Sequence, residues 1–139
     1  MAANTIPIFI DSGNFTPGRI AAANTASDGS GALVTVVTAG VDGTRVDGVR
    51  FRNSQATAAL STAMVHRIFL SDTGGANYRL IGEVATAAAT RTASVIGATS
   101  IFTFDQPIIM KSGQIMAVCQ SAYAGAQDQF DAVAYAGDY

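Results

Sequence analysis

The sequence predicts an all-β protein: an antiparallel β-sandwich, jelly-roll-like, of about eight to nine strands with an extended N-terminal arm. Three observations carry this. Short β-branched and apolar runs recur between clusters of Gly, Asp, Asn and Ser. The charged residues are nine Asp to one Glu and seven Arg to one Lys; Asp favours turns, whereas Glu and Lys are the charges of solvated helices. No stretch reads as a credible long helix. At 139 residues the chain is a single domain, long enough to bury roughly two thirds of its unfolded surface.

In order along the chain, Thr5 to Ile10 is apolar and extended, and Pro7 lacks the N–H a central strand needs. Residues 1–12 therefore read as an N-terminal arm or edge strand, and 13–139 as the sandwich. After a loop through Gly13, Pro17 and Gly18, a short strand is expected from Arg19 to Ala23, then a turn at Ser27 to Gly31. Leu33 to Thr38 and Val46 to Asn53 flank two glycines and an Asp-Gly pair, the sequence form of a hairpin. Along its second arm Val49 and Phe51 alternate with Arg50 and Arg52, so the arginines face outward.

Ser54 to Ala63 reads as a crossover loop. Met64 to Leu70 and Tyr78 to Val84 form a second hairpin around the turn formers of Ser71 to Asn77. Ala85 to Thr99 mixes alanines with β-branched threonines and reads as loop and strand. Ser100 to Phe104 is a strand that Gln106-Pro107 ends. Gln114 to Ser121 is nearly continuous in apolar residues, as a central strand is, and Phe130 to Ala136 is the last strand.

Composition narrows the function classes. Charged residues make up only 13% against a typical quarter or so, a surface with few charges to keep copies apart and suited to an assembly. A net charge of −2 without a basic run offers nothing to successive phosphates, so nucleic acid is not expected as a partner. No signal peptide or membrane span is read, and synthesis in a cytoplasm is expected.

Chemistry is sparse. His66, the only histidine, sits mid-strand among apolar residues and reads as structural, and Cys119 as a small buried hydrophobe. One His, one Cys and one Glu give no transition-metal set. Asp28, Asp42 and Asp72 lie in glycine-rich loops without calcium-loop spacing and read as turn acceptors. Asp128, Asp131 and Glu83 are the carboxylates that a glycosidase-like pair would draw on, though spacing does not join them. The reading is of a protein that is not an enzyme, with no cofactor and no metal.

Ala23-Asn24-Thr25 with Asp28-Gly29-Ser30-Gly31, Thr38-Ala39-Gly40, Gly43-Thr44-Arg45-Val46-Asp47, Arg67-Ile68-Phe69-Leu70 and the ending Ala134-Tyr135-Ala136-Gly137-Asp138-Tyr139 form a combination spread over about the whole chain. In it the chain resembles small β-sandwich virion proteins of tailed bacteriophages, of the capsid decoration or cement type. The resemblance implies a homo-oligomer, commonly a trimer, seated on the major capsid protein lattice at the virion surface and stabilising the head. Candidate partner contacts are Ile6, Ile8, Phe9 and Ile10 of the arm, with Arg50 and Arg52. The alternatives are a tail or baseplate component, or a surface-displayed carbohydrate- or receptor-binding module using Tyr123 or Tyr135.

Overall fold

The computed structural model describes residues 10–56 and 58–139. Among these, eleven strands form: β1 (Ser12–Gly13), β2 (Gly18–Ile20), β3 (Val34–Thr38), β4 (Thr44–Asn53), β5 (Ala59–Leu60), β6 (Met64–Leu70), β7 (Arg79–Thr86), β8 (Thr90–Arg91), β9 (Thr99–Met110), β10 (Ile115–Gln120) and β11 (Phe130–Asp138). The sole helical element among them is a 3₁₀ turn at Ala126–Asp128.

Two antiparallel sheets result. In the first, β11 lies between β4 and an edge made in two pieces, with β1 beside Gly137–Asp138 and β2 beside Phe130–Ala132, while β9 flanks β4 on its other side. The second runs β3-β10-β6-β7. These two orders are those of an eight-position jelly roll, the successive long strands alternating between the sheets except for β6 and β7, which are neighbours in the second. The extra strands over the expected eight to nine are the split edge and a two-residue ladder between β5 and β8.

The core lies between the sheets. Val46, Val49, Phe51, Phe130, Ala132 and Ala134 face Val36, Met64, Ile68, Met116 and Val118, all buried. Part of the outer side of the second sheet is covered too: the segment through Asn24 and Thr25 lies against β10 and β6, the Asn24 backbone amide donating to the Gln120 carbonyl at 2.8 Å and Arg67 to the Asn24 and Thr25 carbonyls. Cys119 is buried there, its Sγ 3.7 Å from the Asn24 carbonyl oxygen.

Two expectations change. The Leu33 to Asn53 stretch is not a hairpin: β3 pairs with β10 and β4 with β11 and β9. The tight turn exists, closed by the Gly43 amide on the Gly40 carbonyl, but it crosses from one sheet to the other. Both arms bury one apolar face, and placing them in opposing layers lets those faces cover each other. Pro107 does not end its strand either, because β9 continues to Met110. Its register against β4 jumps from Thr103–Gly48 to Ile108–Val46, so Pro107 sits in a bulge where no ladder N–H is required. The second hairpin forms as expected, β6 against β7.

Asp47 is the matching bulge residue on β4, out of register with both neighbours. It therefore lies beside Arg45, at 2.8 Å, and lets both Val46 and Val49 reach the core three positions apart. Gly48 follows, packed so closely on β9 that a Cβ would run into the Phe102 carbonyl oxygen and lie 3.2 Å from Thr103 Cα. Gly48→Ala is expected to cost about 2 kcal/mol through forced strand separation, lowering the thermal midpoint by roughly 6 °C; an unchanged melting curve by circular dichroism would contradict this packing.

Candidate functional site

The alternation that buries Val49 and Phe51 turns Arg50 and Arg52 to the outer face of the first sheet, as expected. The ladder then sets their neighbours. Asp131 on β11 lies between Arg52 of β4 and Arg19 of β2, and the next row places Val133, Arg50 and Ile101 side by side. Arg91 arrives from the small β5–β8 ladder, its Nη1 donating to the Asn53 carbonyl at 2.9 Å.

The result is a groove of about 570 Å³ lined by Arg19, Arg50, Arg52, Arg91, Asn53 and Asp131, among others. Four of the seven arginines meet there. Their only lining carboxylate, Asp131, is engaged by Arg19 at 3.0 Å, which raises the Arg19 pKa through that hydrogen bond and the opposite charge. Among the described residues, Arg50 and Arg52 make no ion pair, and residues 1–9 and Thr57 contain no carboxylate in their sequence. Beyond the groove the same face continues through Ile101, 52% exposed, and Tyr135, 43% exposed.

Sequence reading named Arg50 and Arg52 but not Arg19, Arg91 or Asp131 as their neighbours. Strand pairing across 112 positions joins Arg19 to Asp131, and nothing local announces it. Of the arm, Ile6, Ile8 and Phe9 lie outside the described residues. Ile10 is exposed beside Gly137, and the Asp11 amide donates to the Asp138 carbonyl at 2.8 Å.

The remaining candidates separate. Asp128 is fully buried, its carboxylate accepting from the Thr62 amide at 2.6 Å, the Thr62 hydroxyl at 2.9 Å and the Ala124 amide at 2.7 Å, so it clamps two loops. Asp131 is on the outer face, and Glu83 is held by Arg67 at 2.8 Å. The three carboxylates thus have separate partners. Asp28 accepts from the Ser30 amide and hydroxyl, hydrogen bonds that lower its pKa, and Asp72 accepts from Asn77. Cys119 is buried, with Asn24 O at 3.7 Å from its Sγ, and desolvation raises its pKa.

Comparison with known protein families, with curated proteins and with solved structures yields no match to this chain.

His66 is fully buried between the sheets, stacked on Phe51 at 4.3 Å and tilted against Phe130 at 4.7 Å. Neither ring nitrogen has a hydrogen-bond partner among the described residues. Desolvation pushes its pKa down from 6.5 to about 4. The unfolded chain takes up the proton first as pH falls, so the stabilisation is complete above pH 6.5, is lost progressively on the way to pH 4, and changes no further below that. Over that window the loss is expected to be roughly 3 kcal/mol. Denaturant titrations of the wild type and His66→Phe at a series of pH values isolate it: the variant keeps the stacked ring, and this part of the slope should vanish.

Proposed function

We propose that this chain is a structural protein of a tailed-phage virion, of the decoration or cement kind, which seats as a homotrimer on the major capsid protein lattice and stabilises the head. One observation carries the reading: two outward arginines free of ion pairs among the described residues stand on the same sheet face as exposed Ile101 and Tyr135. Arginine and tyrosine over an apolar patch are what protein interfaces concentrate at their centres. The sequence resemblance supplies the assembly, and the small charge count suits a chain whose surface is shared with neighbours.

The physical logic is multivalency. One such contact can be of modest affinity, because a trimer touching a symmetric lattice at three points converts the second and third contacts into intramolecular ones. Stiffening of the head follows because each trimer links several lattice subunits.

Addition of the purified protein to heads assembled without it tests this directly. Stoichiometric uptake with a trimer mass in solution is the expected result, and Ile101→Asp should lower occupancy about tenfold or more with an unchanged circular dichroism spectrum. Uptake by tails or baseplates instead, or glycan binding lost in Tyr135→Ser while heads stay bare, would assign the face to a different partner and end the capsid reading.

A further inference from the structure

We propose that the Arg19, Arg50, Arg52 and Arg91 groove is a binding site for carboxylates presented by an acidic segment of the capsid lattice protein. This names the partner chemistry of the face described above and rests on that reading of the chain as a capsid-seated protein.

The charges argue for a short anionic segment. Planar guanidinium groups pair with carboxylates in two-point fashion and lose less hydration than ammonium groups do. Arg19 and Asp131 already show the pairing within the groove, at 3.0 Å. In the Arg19–Asp131–Arg52 row, Arg52, and Arg50 beside it, form no ion pair among the described residues and can take a second and third carboxylate. Arg91 spends one donor on the Asn53 carbonyl, and a guanidinium carries five. A volume of about 570 Å³ accommodates a few side chains rather than a folded surface.

Other anions fit less well. The whole chain carries −2 and has a pI near 5.0, so a long polyanion such as nucleic acid or an acidic polysaccharide meets net repulsion outside the groove. The lining includes Pro17, Gly18 and Val133 but no aromatic ring on which a sugar or base could stack. An acidic protein segment answers the positive groove with its carboxylates and the adjoining Ile101 and Tyr135 with its apolar side chains.

The test combines a free peptide and the assembled head. Fluorescence anisotropy with labelled hexaglutamate at low ionic strength should show saturable binding. Arg50→Gln with Arg52→Gln, two outward-facing changes whose fold is checked by thermal melting, should weaken it about tenfold or more. Head occupancy should fall in the same variant, and wild-type occupancy should fall with added salt. Absent hexaglutamate binding, equal binding by the variant, or tighter binding of polygalacturonate or inorganic phosphate would overturn the proposal. The head arm separates the two levels. Heads that take up variant and wild type equally overturn the groove while leaving the capsid reading intact. Heads that stay bare while hexaglutamate binds through Arg50 and Arg52 overturn the capsid as the source of the carboxylates.

Discussion

The mutual covering of two apolar sheet faces is the constraint on which this molecule depends. A strand that buries only one side needs a facing layer about 10 Å away as well as neighbours beside it. β4 and β11 pair at the centre of one layer and contribute Val46, Val49, Phe51, Phe130 and Ala132, while β10 and β6 oppose them with Met116, Val118, Met64 and Ile68. The crossing at residues 39–43 follows from this demand. Thr44 and Asp138 hold that corner, with the Gly40 amide donating to the Thr44 hydroxyl at 3.0 Å and Asn14 donating to the Asp138 carboxylate at 2.6 Å.

What the core requires of one side of β4 fixes what the other side displays. Once Val49 and Phe51 point inward, period two sends Arg50 and Arg52 outward, and the antiparallel register sets Asp131 and Arg19 beside them. A chain poor in charge thereby concentrates half of its basic residues on one patch. Asp131 holds Arg19 in place without neutralising the four arginines, which leaves the groove net positive on a net negative protein. Charge of that kind directs a partner to one surface and discourages association elsewhere.

Polar groups inside the sandwich mark where regular pairing stops. Gln120, at the end of β10, donates to the Ala122 and Asp128 carbonyls, Asn53, at the end of β4, donates to the Gln127 carbonyl, and Asp128 collects three donors from two loops. Side chains thus satisfy backbone groups that the ladders no longer reach. His66 differs, since it is held by two aromatic rings and its neutrality suits a site that offers no partner charge.

Strand content, the outward direction of Arg50 and Arg52, the buried character of Cys119 and the β6–β7 hairpin were legible in the sequence because each follows from alternation or from turn residues within a few positions. The Leu33 to Asn53 turn shows the limit: Asp-Gly and flanking β-branched runs describe a reversal of the chain equally well whether it joins neighbours in one sheet or spans two. Pro107 shows it again, since a bulge that tolerates proline exists only relative to a partner strand. The sequence by itself determined the all-β class and which side chains of a strand share a face, both set by local sterics and period two. Only the tertiary structure decided which strands are neighbours, and so brought Arg19 and Arg91 to Arg50 and Arg52, because those distant pairings are selected by the joint burial of both sheets.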